Sequence, residues 1–555
     1  MTKTQAPRNG QNPIWLCLLG LGFWSLDIYP PPVNPLLLLA LGLAIVLGGI
    51  LWLRLHPFLS LILGAFAVGG LTSIDNIEKS MAAKYHGDAF RSTINELVKK
   101  RIGESKEKDE VFDEQAIRKQ VKQEFTPSEK ENLKTTAQVR AKKYAGDNTT
   151  LSRITAAFGT TCGKIGILIA MACVIGRCLL ASGAAERIVR GALSLVGERN
   201  AAVAFCGSAF VLGIPVFFDS LFLLAIPLVK ATWLKVKKNY VLFVVALVAG
   251  GTMTHSLVPP TPGPLFVAEE LGVNLGTMIL VGMVIGSCCS AVGLVYANWI
   301  NKRMNIPLRE TPEAMKKLEE LARRDINELP SLGLSLFPIL LPVALISGVT
   351  IYQSGLDPTQ EAHPILSLLG DKTVALTLAA AVAMLIAAVR LKDRKAVADH
   401  VQESMLEGGL IILICCAGGA FGAMLQQSGI GPFISEMTGD KPLEYSLLPL
   451  AFVVTAVIRG AQGSATVAMF TAVGIVASLV PDLDGLPFHP VYLAVAIGCG
   501  SKPFPWMNDS GFWVISKMSG MTEKETLKAL TPMATLMGLT GIIITMIAAR
   551  VIPLN

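Results

Sequence analysis

Residues 250–264 read GGTMTHSLVPPTPGP and interrupt a long apolar stretch of the chain. A second interruption, at residues 498–511, reads GCGSKPFPWMNDSG. Both runs combine glycine, proline and polar side chains, which break a regular helix. Because every backbone N–H and C=O group in hydrocarbon must find a partner inside the protein, neither run can face lipid. We therefore expect two broken helices that are buried in the protein or line a wet cavity.

The rest of the sequence is typical of a helical membrane protein. Of its 555 residues, 52% are hydrophobic and 16% are charged, and its mean hydropathy is +0.54. Soluble domains contain about a quarter charged residues, and the apolar stretches here are long and do not alternate. This composition excludes a nucleic-acid module, a secreted disulfide scaffold and an ordinary cytosolic enzyme. It makes the lipid bilayer an expected partner.

The sequence carries no signature of a cofactor or a metal. It has no phosphate-binding loop, nucleophile elbow or metal-ligand spacing, and its ten cysteines include no C-x-x-C pair. An ATP-driven pump is therefore disfavoured. An intramembrane enzyme would need a nucleophile–base pair or a metal set, and neither is visible among the six histidines and their surroundings. We expect a transporter without a cofactor.

Charge and hydropathy divide the chain into five parts. Residues 1–74 hold N-terminal membrane segments. The apolar stretch at 14–29 is either an extra span or a signal-like segment, and the lack of an obvious small-residue cleavage site favours an uncleaved span. Residues 75–149 form a charged extramembrane insertion, since 30 of the chain's 89 charges lie between Asp75 and Asp147. Residues 150–300 and 332–555 are expected to be two transport repeats, joined by a cytoplasmic connector at 301–331.

The loop charges predict an inverted repeat. Basic loops stay in the cytoplasm, which places residues 230–238 and 390–395 inside. Successive loops then alternate between the two sides of the membrane only if segments 201–229 and 445–480 each start and finish on the same side. Two full spans or one re-entrant hairpin would both satisfy this condition. Because the first opens to the inside and the second to the outside, they indicate repeats of opposite orientation. The side of the insertion stays open.

Ionisable and hydroxyl side chains at these interruptions are the candidate substrate site. Arg459 lies in an otherwise uncharged apolar region, so it pairs with an anionic substrate, balances a protein carboxylate or snorkels at the end of a span. The expected substrate-binding residues around it are Gly463, Ser464, Thr466, Asn508, Ser510 and Thr254. Lys502 either binds a carboxylate or lies at the cytoplasmic edge.

Three further groups are candidates for carrying a coupling proton. Asp219 follows the tip of the first hairpin, and Asp509 lies in the second break. Carboxyl groups inside a membrane are typical of proton relays. His255, in the first break, belongs to the side-chain type that titrates near neutral pH. Two of them have an alternative role, an ion pair for Asp219 and a neutral hydrogen-bonded ring for His255.

At these same residues the chain resembles the gluconate permease (GntP) family of bacterial transporters. The matching motifs are SGAAERI at 182–188, GIPVFFD at 213–219, THSLVPPTPGP at 254–264, GSATVA at 463–468 and NDSGFW at 508–513. They run in family order, and the similarity covers roughly residues 34–74 and 150–550. The chain departs from the family pattern at Thr261 and at residues 505–507.

The resemblance implies a fold and an activity. The fold would be an all-α, polytopic membrane protein with inverted repeats, paired re-entrant hairpins and broken helices, within the wider ion transporter superfamily of carboxylate transporters. The activity would be proton-coupled symport of gluconate or a related small organic or sugar acid across the bacterial inner membrane. Sodium is the alternative coupling ion, and a second copy of the chain is a candidate partner.

One alternative function stays open at this point. A transporter-like receptor would use the same carrier fold to report substrate to a partner through the charged segment at 75–147. Its near-balanced charges, 16 basic and 14 acidic, do not favour a docking role over a solvated surface.

Overall fold

The computed structural model describes residues 33–107, 124–304, 326–355, 363–433, 444–480 and 486–554, with scattered residues at 117–121 and 306–319. Regular structure in this part of the chain is helical, and it contains no strand. The expected all-α class is therefore confirmed. The apolar segment expected at residues 14–29 lies outside the described residues.

The described helices of the N-terminal part and first half come in the following order. They are α1 (Pro35–Leu51), α2 (Pro57–Leu71), α3 (Ile74–Glu107), α4 (Pro127–Asp147), α5 (Thr150–Ala181), α6 (Ala184–Val196), α7 (Ala201–Leu212), α8 (Phe218–Val236), α9 (Tyr240–Leu257), α10 (Pro262–Glu270) and α11 (Leu275–Asn301). The second half continues with α12 (Leu332–Ser354), α13 (Pro364–Gly370), α14 (Lys372–Leu391), α15 (Arg394–Gln427), α16 (Leu447–Gln462), α17 (Ala465–Leu479), α18 (Val491–Gly500), α19 (Ser510–Ser519) and α20 (Glu523–Val551).

Many of these helices are long and apolar enough to cross a membrane. Within the described residues seven segments meet this condition, namely α5, α9 together with α10, α11, α12, α14, α15 and α20. Two bent pairs, α2–α3 at 105° and α6–α7 at 111°, bring the number to nine if each pair is one span. The chain is thus a polytopic membrane protein.

Three helices of the expected hairpins, α7, α16 and α17, are shorter than the full spans. α16 and α17 contain 16 and 15 residues, so each is roughly 24 Å long or less, against a hydrocarbon core of about 30 Å. α7 is shorter still, with 12 residues. Such helices fit re-entrant hairpins better than pairs of complete spans. The opposite orientation of the two halves stays a prediction.

Both expected helix breaks are present, and they lie side by side. The first separates Leu257 from Pro262, and the second separates Gly500 from Ser510. The hydroxyl of Ser501 donates to the hydroxyl of Ser256 across 2.9 Å. A polar contact therefore joins the two interruptions in the middle of the apolar core.

The charged insertion is a helical hairpin of α3 packed on α4, anchored at its base to the membrane helices. Arg153, at the start of α5, is buried and donates to the Gly69 carbonyl (3.0 Å) and to the Gln427 side chain (2.9 Å). The Gln427 amide in turn lies 3.4 Å from the Tyr144 hydroxyl of α4. The hairpin base is thus tied to the ends of α2 and α15.

The described part of the connector binds the two halves together. Arg309 makes a bidentate ion pair with Glu525 at the start of α20 (2.7 and 2.8 Å) and also donates to the Gly520 carbonyl (3.0 Å). Its neighbour Glu310 pairs with Lys230 near the end of α8. The Glu310–Lys230 pair is mostly buried, and the connector therefore clamps α8 to the α19–α20 turn.

Glycines let several helices touch through their backbones. α15 crosses α17 at Gly422 and Gly474, where a Cβ on either residue would lie under 3 Å from the Cα of the other. α9 crosses α7 at Gly250, where a Cβ would overlap the carbonyl oxygen of Cys206. These close approaches bring the broken helix α9 and the hairpin helices into one core.

The Gly250 crossing predicts a matched pair of stability changes. We expect Gly250→Ala to destabilise the protein by about 1–3 kcal/mol, because the added methyl forces α7 away from α9. Gly207→Ala is the control, since this glycine on α7 is exposed and a Cβ there meets nothing within 4 Å. Thermal unfolding of the detergent-solubilised variants measures both, and equal unfolding temperatures would contradict the packing argument.

Candidate functional site

A cavity of about 550 Å³ lies where the hairpins and the helix breaks meet. The N-terminal ends of α8, α10, α17 and α19 reach it, together with the C-terminal turn of α16. Apolar side chains of α15, among them Ile411 and Ile414, form part of its wall. Seven of the residues expected from the sequence line the cavity: Asp219, His255, Arg459, Ser464, Thr466, Asp509 and Ser510.

Arg459 lies in the last turn of α16 and is 5% exposed. It forms an ion pair with Asp509, and its Nε donates to the Ser501 carbonyl across 3.1 Å. The sequence left an anionic substrate and a protein carboxylate open as partners of Arg459. The structure shows the protein carboxylate, that of Asp509. The Nη1 of Arg459 is buried and has no hydrogen-bond partner within the described chain. Because buried donors are nearly always satisfied, we expect a ligand or an ordered water to accept a hydrogen bond from this group.

Asp509 has two structural tasks besides its pair with Arg459. Its side chain caps α19 by accepting a hydrogen bond from the Gly511 amide at 2.9 Å. It also faces a second carboxylate, since a Cβ on Gly511 would lie 3.3 Å from an Asp509 oxygen and 3.7 Å from an Asp219 oxygen. No ion pair or hydrogen bond to Asp219 occurs among the residues described. Of the two aspartates that line the cavity, Asp509 is therefore paired, and Asp219 has no ion-pair partner in the described part of the chain.

Gly463 and Asn508 shape the hairpin tip and do not line the cavity. Gly463 has φ +89°, and a Cβ there would overlap the Asn508 carbonyl oxygen, so no other residue type fits without strain. The Asn508 amide donates to the carbonyls of Gly460 (2.9 Å) and Ala461 (3.2 Å). These bonds satisfy the last carbonyls of α16 and hold the second break against the tip.

Thr254 is likewise outside the cavity lining, whereas its neighbour His255 is part of it. The Thr254 hydroxyl donates to the Phe210 carbonyl across 2.9 Å, which fixes α9 to α7. The His255 Nε2 lies 3.4 Å from the Thr466 hydroxyl of α17, and the tautomer of the ring decides which of them donates. This contact connects the first break with the second hairpin.

Lys502 also lines the cavity, although the sequence left its position open. It is 3% exposed, and its ammonium donates to the carbonyl (2.6 Å) and the hydroxyl (3.0 Å) of Thr252. Its charge interacts with those of Arg459 and Asp509. The signal that points to it is a lone lysine inside the second break, flanked by apolar segments.

Helix ends add to the positive potential of the cavity. α8, α17 and α19 contain 19, 15 and 10 residues, and all begin at its wall. The N-terminus of a helix carries about half a positive charge and presents free N–H groups. No side chain caps the start of α8. Within the described residues no cluster of His, Cys, Asp and Glu is arranged to hold a metal ion. The arrangement suits a small polar anion.

Comparison with known proteins finds a matching family profile and several similar permeases. The profile described as GntP family permease matches residues 145–552. An uncharacterised permease of Haemophilus influenzae is 36% identical over 67% of this chain and 78% of its own length. A gluconate permease of Pseudomonas aeruginosa is 32% identical over 71% of this chain and 86% of its own length. The solved structure of Neisseria gonorrhoeae MtrF, an antimetabolite efflux pump, shares the fold at 16% identity and a TM-score of 0.54, over 73% of this chain and 85% of its own.

The buried ion pair predicts a non-additive pair of substitutions. Asp509→Asn keeps the helix cap, since Asn caps as well as Asp, but leaves the buried Arg459 unpaired, and we expect a loss of about 3–5 kcal/mol. Arg459→Met alone leaves Asp509 unpaired in the same wall. The double variant should be more stable than the sum of the two losses implies. Thermal unfolding of all four proteins measures the coupling, and simple additivity would show that the pair is not a unit.

Proposed function

The chain belongs to the GntP permease family and is a multi-pass protein of the bacterial inner membrane, and we propose that it carries gluconate or a related small sugar acid together with a proton. The observation that carries this proposal is the cavity at which Arg459, an unpaired Asp219 and three helix N-termini converge. The name of the similar Pseudomonas permease supports the choice of substrate.

Substrate recognition follows from the donors that the cavity offers. The carboxylate of the sugar acid binds near Arg459, whose Nη1 has no acceptor among the described residues. Ser464, Thr466 and Ser510 offer hydroxyl groups to the polyol chain. Gly463 and Asn508 act on binding indirectly, because they hold the hairpin tip in place. Thr254 supports α9 in the same indirect way.

The proton is assigned to the carboxyl pair. Asp219 faces Asp509 and makes no described ion pair, so it is the carboxyl group that takes up the coupling proton. Asp509 is already in an ion pair with Arg459. His255 relays the proton between the first break and Thr466. The two repeats then move relative to each other around the cavity to expose it on either side. Association of two copies stays a prediction.

Uptake by proteoliposomes tests the substrate and the coupling ion together. We expect labelled gluconate to accumulate when the outside is more acidic than the inside, because the proton gradient drives the loaded carrier inwards. Purified protein in sealed vesicles, with a proton gradient in one set and a sodium gradient in the other, gives the comparison. Accumulation that follows sodium and ignores protons would overturn the coupling assignment.

Asp219→Asn is the informative variant in the same assay. Without a group to carry the proton, it should lose gradient-driven accumulation and keep exchange of labelled for unlabelled gluconate across the membrane. Exchange shows that the variant is folded and binds substrate. Unchanged accumulation by this variant would remove Asp219 from the proposed proton path.

Two threonines on α17 provide a matched test of the binding wall. Thr466 lines the cavity, whereas Thr471 is fully buried and bonds the Val467 carbonyl of its own helix at 2.9 Å. We expect Thr466→Val to raise the KM for gluconate roughly 3- to 10-fold, which corresponds to one lost hydrogen bond. Thr471→Val should leave KM unchanged. Equal effects of the two substitutions would place the substrate elsewhere.

A further inference from the structure

A third carboxylate, that of Glu407 on α15, lines the cavity besides those of Asp219 and Asp509. Arg459 is 5% exposed, whereas 44% of the Glu407 side chain is exposed. Arg459 therefore lies in the interior of the cavity, and Glu407 lies at its mouth. A substrate that fills the cavity meets a charged side chain of opposite sign at each end.

Helix α15 presents Glu407 on the same face as its apolar wall residues. The residues of this helix that line the cavity are Glu407, Leu410, Ile411 and Ile414. Their spacing of three, four and seven residues places them on one face of a helix. Glu407 and Ile414 are about 10 Å apart along the helix axis. The apolar part of the wall thus ends at Glu407, on the side of the mouth.

The carboxylate of Glu407 keeps its capacity to accept hydrogen bonds. Arg177 of α5 lies 3.7 Å from a Glu407 oxygen, which is too far for a hydrogen bond, and it pairs more closely with Glu403. No hydrogen bond of Glu407 occurs within the described part of the chain. Ionisable side chains on membrane-crossing helices are rare and typically mark a substrate or ion pathway.

We infer that Glu407 binds the end of the substrate that is remote from its carboxylate, and that it selects sugar acids with a hydroxyl group at that end. The inference rests on the proposed function and deepens it by naming a group that determines specificity. With the substrate carboxylate near Arg459, the polyol chain extends along Ser464 and Thr466 towards the mouth. Its last hydroxyl group donates a hydrogen bond to Glu407.

The chemistry of a carboxylate defines which substrate end fits at Glu407. An ionised carboxylate only accepts hydrogen bonds, and such charge-assisted bonds are roughly twice as strong as neutral ones. A terminal hydroxyl group supplies the donor, whereas a terminal methyl group supplies none. A second carboxylate on the substrate brings a like charge against Glu407, which discriminates against it by repulsion. The favoured class is therefore a polyol with one carboxylate.

Competition for the uptake of labelled gluconate measures this preference in proteoliposomes that contain the unaltered protein. We expect 6-deoxygluconate, in which a methyl group replaces the terminal hydroxymethyl group, to compete about 3- to 10-fold more weakly than unlabelled gluconate, the value of one hydrogen bond. Glucarate, which carries a carboxylate at both ends, should compete more weakly still. Equal competition by gluconate and 6-deoxygluconate would overturn the inference.

Glu407→Gln tests the side chain itself, with Asp399→Asn as the matched control. Asp399 is an exposed acidic residue of the same helix and is not among the residues that line the cavity. We expect Glu407→Gln to reduce the preference for gluconate over glucarate by about fivefold or more, because the repulsion is removed and the amide can donate to the second carboxylate. Asp399→Asn should leave the preference unchanged.

The ratio of the two competition constants separates recognition from folding. A merely structural defect in Glu407→Gln would lower uptake and leave the ratio as it is in the unaltered protein. An unchanged ratio would therefore overturn the inference while leaving the proposed function intact. If the unaltered protein shows neither uptake nor exchange of gluconate, the substrate assignment itself is wrong and the inference falls with it.

Discussion

Backbone hydrogen bonding in hydrocarbon is the constraint on which the rest of the structure depends. A helix that stops inside the membrane leaves N–H and C=O groups that lipid cannot satisfy, so each break must be surrounded by protein or water. Here the breaks after Leu257 and Gly500 lie against each other through Ser256 and Ser501. The hairpin tip at Gly463 closes over the second break. The cavity is thus the space between the ends of the broken helices and the hairpin helices.

Charge placement follows from that arrangement. The helix N-termini contribute a positive potential to the cavity in addition to that of the side chains. Asp509 offsets it with its negative charge, both as the cap of α19 and as the ion-pair partner of Arg459. Lys502 is held in place by Thr252 of α9, so a group of the second break is positioned by a helix of the first half. The cavity wall and the joining of the two halves therefore share a residue, Lys502.

The sequence predicted the breaks, and seven of its ten expected site residues line the cavity, because glycine, proline and isolated charges are visible in an apolar chain. It could not choose the partner of Arg459, since the contact with Asp509 depends on how a tip folds back over a break 50 residues later in the chain. The sequence did not decide whether Lys502 lies at the site or at the cytoplasmic edge, for the same reason. The amphipathic α6 was missed because its charged residues resemble those of a loop, and α15 begins at Arg394, well before its apolar part. Thr254 belongs to the motif but faces α7, a direction that spacing alone does not reveal.

The backbone contact between Gly422 of α15 and Gly474 of α17 has an evolutionary consequence. In most cores a larger side chain at one position is rescued by a smaller one at its neighbour. At this crossing both residues are glycine and already lack a side chain. A larger residue at one position therefore cannot be compensated by a smaller residue at the other. A second mutation that suppresses a substitution at either glycine must therefore lie elsewhere and let the two helices separate. Paired substitutions at these two positions are not available to evolution.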